Sequence, residues 1–152
     1  MRPWLLSRRG VLLGCLAVAL PAGVAGCRRS PAPRADRCPL CGMKIDPTSP
    51  WRALLVESDG REVAFDTPRC ALAAWRRGKV AARALRAQEF YSRAWTDGEA
   101  LRFAVGSDVT GPMGPDFVPV AAEQVEKFAK DHGAQATYPL SAITREVIEQ
   151  AP

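Results

Sequence analysis

Trp51-Arg52-Ala53-Leu54-Leu55-Val56-Glu57-Ser58-Asp59-Gly60-Arg61-Glu62-Val63-Ala64-Phe65-Asp66-Thr67-Pro68 decides the fold. Residues 51–57 are an apolar run of strand length, Ser58-Asp59-Gly60 supplies a turn, and 61–65 return, which predicts a β-hairpin. Asp66 or Thr67 is then placed to cap a helix with Pro68 and Cys70 in its first turn and Gly78 just past its end. Proline suits that first turn because its missing N–H would have no intrahelical partner anyway.

Working outward to the C-terminus, residues 80–88 are ambiguous, leaning towards helix, and 90–95 read as a further strand. The pattern then restarts. Residues 100–105 predict a strand, 106–115 a glycine-rich connection and 117–120 a short strand; a helix over 121–132 has Val125, Phe128 and Ala129 on one face. Gly133 ends that helix, and a strand near 136–138 and a segment over 141–150 finish the chain. The hairpin with its Phe65-Asp66-Thr67-Pro68 echoes residues 100–105 with Phe117-Val118-Pro119-Val120. The reading is an α+β fold of two related ββαβ-like halves, roughly 38–97 and 98–150, with one α+β domain of meandering strands as the alternative.

Towards the N-terminus the chain changes character. Residues 1–26 have a basic start (Arg2, Arg8, Arg9), an apolar run over 11–20, and Val24-Ala25-Gly26 directly before Cys27, the layout of a bacterial lipoprotein signal. The run is too short to span a bilayer core of roughly 30 Å. Cys27 is therefore the expected lipidated residue, and Ser7-Arg8-Arg9-Gly10-Val11-Leu12-Leu13 resembles a twin-arginine export signal, with the general secretory route as the alternative. Residues 27–37, rich in proline and arginine, read as a tether to the folded domain at 38–150. These features imply a lipid-anchored protein on the periplasmic side of a bacterial membrane. Losing Arg2, Arg8 and Arg9 lowers the formal charge from +5 to +2, so the basic balance gives no case for a nucleic-acid partner.

The same cut leaves Cys38, Cys41 and Cys70 as unmodified thiols, an odd number for a purely structural disulfide framework. Cys38-Pro39-Leu40-Cys41-Gly42-Met43 places two thiols and a thioether together. Zinc would need a second ligand pair, for which Cys70 and His132 are the remaining candidates, so zinc is the less favoured ion. Thiolate and thioether donors suit Cu(I). Met43 and Met113, the latter in Gly111-Pro112-Met113-Gly114, both sit in glycine-flanked loops and not on helix faces, where core-filling methionine belongs. Cys70, in a first helical turn, reads either as a ligand or as a buried neutral thiol beside Trp75; His132, before Gly133, reads either as a ligand or as a helix-end cation.

Cys-Gly-Met after a lipobox, Phe65-Asp66 opening a helix, Val105-Gly106-Ser107, Gly111-Pro112-Met113-Gly114 and Phe128-Ala129-Lys130-Asp131-His132-Gly133-Ala134 together resemble the NosL family, from Cys38 to about Ile148. The resemblance implies a fold shared in part with organomercurial lyase and a Cu(I) carrier for nitrous oxide reductase. It puts the sulfur ligands on Cys41, Met43 and Met113, and a copper-receiving protein or assembly complex as partner. Cys38 and Cys70 depart from the family pattern and extend the candidate ligand set to Cys38, Cys41, Met43, Cys70 and Met113. No bond-making catalysis is then expected. The rivals are a thiol–disulfide or organomercurial lyase-like enzyme using Asp66 or Asp116 as proton donor, and a structural lipoprotein with a Cys38–Cys41 disulfide.

Overall fold

The hairpin forms where it is expected. In the computed structural model, which describes residues 36–152, β1 (Ala53–Glu57) pairs antiparallel with β2 (Glu62–Phe65), so that Ala53 faces Phe65 and Val56 faces Glu62. The signal at 1–26, the lipidation site Cys27 and the tether up to residue 35 lie outside the described residues. Helix α1 (Pro68–Arg76) follows at once, capped by the Thr67 side chain, which accepts from the Cys70 N–H at 3.3 Å. Gly78, at φ +68°, turns the chain away just past the helix end.

The next segment corrects the sequence reading. Residues 80–88 are not helical: β3 (Ala82–Gln88) pairs antiparallel with β1, placing Leu55 opposite Leu85. Alanine and arginine favour helix locally, but Leu85 and Ala87 fall on alternate positions that the core buries, and packing overrides propensity. Nor does the strand expected over 90–95 form there, since residues 90–94 are a turn and only Trp95 is in a strand. The buried Glu89 carboxylate accepts from the N–H groups of Tyr91 and Ser92 at 3.0 and 2.6 Å, bending the chain, and Arg93 takes a left-handed φ of 61°. Only then does β4 (Trp95–Asp97) pair with β3.

In the second half β5 (Leu101–Val105) is the central strand, flanked by β8 (Val118–Ala121) and β9 (Ala136–Pro139), both antiparallel to it. Between β5 and β8 the chain makes a small hairpin, β6 (Thr110–Gly111) with β7 (Gly114–Pro115). The helix expected over 121–132 begins later, as α2 (Val125–His132), after a 3-10 turn at Ala122–Gln124. Gly133, at φ 69°, ends it. A further 3-10 turn and α3 (Arg145–Gln150) complete the chain. Among the described residues no helix is long and apolar enough to cross a membrane.

The sheets run β2-β1-β3-β4 and β8-β5-β9. Each half thus puts its first strand in the middle, its second on one side, then a helix, then its third strand on the other side. This is the ββαβ duplication read from sequence, with β4 and the β6–β7 hairpin as additions. One core joins both halves: Leu55, Phe65, Leu72 and Leu85 from the first pack with Leu101, Phe103, Phe117 and Leu140 from the second. The opposite face of the second sheet, with Val118 and Val120, is closed by Phe128 of α2.

Candidate metal centre

The Cys38–Met43 stretch is a tight turn. The Cys38 N–H donates to the Met43 carbonyl at 2.8 Å, the Gly42 N–H donates to the Cys38 carbonyl at 2.9 Å, and the Ile45 N–H closes the base on the Asp36 carbonyl at 2.8 Å. Gly42, at φ +77°, takes the left-handed conformation that side chains disfavour. These bonds turn Cys38 inward, with 2 % of its surface exposed, and leave Cys41 half-buried and Met43 46 % exposed.

Cys70 comes to the same place from α1, and Asp66 from the residue just before the cap. The sulfurs of Cys38, Cys41 and Cys70 and a carboxylate oxygen of Asp66 all lie within 4.8 Å of one another. All three cysteines are free thiols, so the expected alternative of a Cys38–Cys41 bridge is not the state described. The Cys41 thiol donates to Asp66 Oδ2 at 3.4 Å. Asp66 is 6 % exposed, and its second oxygen, Oδ1, has no hydrogen-bond partner among the described residues.

The three thiols do not titrate alike. A hydrogen bond from the Cys70 thiol holds Cys38 down to about 6 against the opposing effect of burial. That bond, then burial, pushes Cys70 up, so Cys70 keeps its proton. Burial is the main reason that Cys41 is raised to about 11. The cluster therefore rests with one thiolate, on Cys38, among neutral thiols.

The two thioethers stand at the openings of this cluster. Met113 occupies the turn of the β6–β7 hairpin, is 58 % exposed, and lines a cavity of about 500 Å³ together with Cys41, Cys70, Arg69 and Asp116. Met43 borders a different cleft, of about 220 Å³, with Asp66 and Pro112. Of the five sulfur residues expected as ligands, the structure gathers Cys38, Cys41 and Cys70 and sets Met43 and Met113 on two approaches. His132 is engaged elsewhere: its Nδ1 is 2.9 Å from Asp108 Oδ1 and its ring packs on Phe128 and Phe90.

Of the two carboxylates considered as proton donors, Asp66 joins the cluster, and sequence reasoning missed it as a ligand candidate. The available signal was its spacing of four residues from Cys70 across a helix start. Asp116 has a different task. Its Oδ1 accepts from the N–H groups of Arg69 and Phe117, both at 2.8 Å, so a residue of the second half caps the helix that carries Cys70. Burial raises Asp116 to about 6, although hydrogen bonds from Thr67, Arg69 and Phe117 oppose the rise.

Two linked ββαβ sheets on one core, with three thiols and a carboxylate converging between a loop and a helix start, define a class: small α+β proteins with a sulfur-rich candidate metal centre. The chain belongs to the NosL family, whose family model matches residues 31–148. Among solved structures it is similar to the copper chaperone NosL from Shewanella denitrificans, with a TM-score of 0.60 at 21 % identity, covering 72 % of this chain and 90 % of that one. At that identity the likeness speaks for the fold. No curated protein matches the chain significantly.

Proposed function

We propose that this chain is a Cu(I) chaperone, tethered through a lipid on Cys27 to the periplasmic side of a bacterial membrane after export by the general secretory or twin-arginine route. It passes its ion to a copper-receiving protein, and maturation of nitrous oxide reductase is the destination that the family resemblance favours. The observation that carries the reading is the convergence of three sulfurs within 4.8 Å beneath a cavity bordered by Met113. Soft donors of this kind suit Cu(I), which needs few ligands. The structural relative described as a copper chaperone supports the same reading.

Cys41 is the pivot, because it is the one part-exposed thiol of the cluster and stands in the cavity wall. Copper arriving at Met113 meets the cavity-lining thiols of Cys41 and Cys70, is taken up together with Cys38, and leaves by the reverse exchange. Each step swaps one sulfur for another and requires no bond-making catalysis. The ligands are Cys38, Cys41 and Cys70, with Met43 and Met113 as exchange donors.

The test is a titration of the reduced protein with Cu(I) against a competing chelator. One equivalent should bind, and Cys41→Ser should weaken binding by about tenfold or more. Failure to take up one equivalent, or unchanged affinity after Cys41→Ser, overturns the reading. Cys27→Ala should move the protein from the membrane to the soluble periplasmic fraction; retention at the membrane sinks the anchoring reading.

A further inference from the structure

The buried carboxylate of Asp116 has two sides, and each meets a different part of the sulfur apparatus. Oδ1 accepts from the N–H groups of Arg69 and Phe117, both at 2.8 Å, which fixes the start of α1 one residue before Cys70. Oδ2 faces the β6–β7 hairpin. A Cβ placed on Gly111 would lie 3.3 Å from both Cβ and Oδ2 of Asp116 and 3.4 Å from Cε3 of Trp51, so the hairpin is seated directly on this carboxylate. Gly111 pairs with Gly114, and Pro112 and Met113 make the turn between them. Asp116 also lines the cavity that Cys41, Cys70 and Met113 share.

We infer that Asp116 is a positioning residue for sulfur exchange: one side of its carboxylate holds the helix start that carries Cys70, the other seats the hairpin that carries Met113, and the reach between them is thereby set. The inference deepens the proposed function and rests on it, since it concerns how an ion passes between Met113 and the thiols. Exchange has a geometric demand. The ion is shared by the incoming and the outgoing sulfur before the old bond breaks, so the thioether must stand within bonding reach of it. A displacement of about 1 Å from such a geometry slows a step by up to about a hundredfold.

The attachment is double. Asp116 follows Pro115 of β7 directly in the chain, so its hold on α1 is transmitted to the hairpin through the backbone as well as through the contact at Gly111. Met113 itself is 58 % exposed at the tip, so its placement depends on how the base of the hairpin is seated. Glycine at 111 is what permits that seat. It lacks the left-handed φ of Gly114, at 102°, so a side chain there pushes the hairpin away from Asp116 and Trp51 without straining the backbone.

The experiment measures Cu(I) affinity by chelator competition, and transfer to an acceptor chelator by stopped flow, on the reduced protein carrying Gly111→Val, Asp116→Ala or Asp116→Asn. Gly111→Val and Asp116→Ala should each slow transfer by about tenfold or more while affinity stays within about threefold. Asp116→Asn should recover most of the lost rate, because its amide oxygen still accepts from Arg69 and Phe117. Since Asp116 acts through Met113, neither Gly111→Val nor Asp116→Ala should slow transfer further in a Met113→Ala background; a residue that only stabilises the fold would slow it in both backgrounds. Unaltered transfer in Gly111→Val, or slowing that persists in the Met113→Ala background, overturns the inference. Gly111→Val leaves the carboxylate in place, so the question is decided even if Asp116→Ala does not fold. Absence of Cu(I) uptake by the unaltered protein overturns the chaperone reading and this one together, whereas uptake with transfer indifferent to these changes removes this one alone.

Discussion

Cys41 is distinguished from Cys38 and Cys70 by its exposure: it alone of the three is partly exposed, in the wall of a cavity that Cys70 and Met113 also line. Met113→Ala should leave Cu(I) affinity within about threefold while slowing transfer to an acceptor chelator, as expected of an exchange donor standing outside the tight set. Stopped-flow transfer measures this, and an unchanged transfer rate with weakened affinity would make Met113 a tight ligand instead. Asp116 gives a pH signature. Its folded value, near 6, lies above the 3.8 of an unperturbed aspartate, so between these values the folded chain holds a proton that the unfolded chain has lost. Stability contributed by that proton is complete below about pH 4 and disappears as pH rises through about 6, a change on the order of 3 kcal/mol. Urea denaturation of the wild type should show this decline relative to Asp116→Asn, which keeps an acceptor for Arg69 and Phe117; a pH-independent difference would remove Asp116 as the cause. At this scale the sequence was legible for sulfur and poor for oxygen. Cysteine and methionine are rare enough that position alone marks them, whereas Asp66 looked like one more residue at a helix start until the fold brought Cys38 and Cys41 against it.

At the scale of elements, α1 is held at its start by two caps of different origin, Thr67 from its own segment and Asp116 from the second half. Thr67→Ala should cost about 1 kcal/mol in urea denaturation, with the loss concentrated where Cys70 sits, since the Cys70 N–H loses its acceptor. Protection of that amide from hydrogen exchange is the local readout, and unchanged protection would show that the Thr67 cap is dispensable. The hairpin and this helix were legible because local signals agree: a turn tripeptide, a capping threonine, a proline in the first turn. Strand β3 was not, because Ala82, Ala84 and Ala87 carry no preference that opposes helix, and only the neighbouring β1 decides. The turn after Glu89 was hidden for a related reason: it depends on one buried carboxylate collecting backbone N–H groups, a role glutamate does not advertise.

For the whole molecule, the shared core governs behaviour. Phe65 and Leu72 of the first half and Phe103 and Phe117 of the second are fully buried in one cluster, so the two ββαβ units share their main core, and only the small cluster under α2 belongs to the second half alone. Trp51, Trp75 and Trp95 all lie in the first half, whereas far-UV circular dichroism samples both. Their urea transitions should coincide, and separated midpoints would show halves that unfold independently. The duplication was visible in sequence as an echo of pattern because strand, strand and helix recur in order. The joint between the halves was not, since Asp116 meeting Arg69 is a contact across 47 positions that no local pattern encodes.

The unequal thiols have a consequence for how the protein meets oxidants and alkylating agents. Peroxides and alkylating agents attack thiolates, and they must reach them. Here the sulfur that is ionised, Cys38, is sealed in, while the sulfur open to solvent, Cys41, is kept protonated. Reactivity and access are assigned to different atoms, so the folded chain holds its thiols in a chemically quiet form. Iodoacetamide at neutral pH should label native protein slowly at all three positions and unfolded protein quickly, as read by mass spectrometry. The same separation makes metal the one reagent able to use them together, because an ion small enough to enter beside Cys41 finds the thiolate of Cys38 waiting behind it.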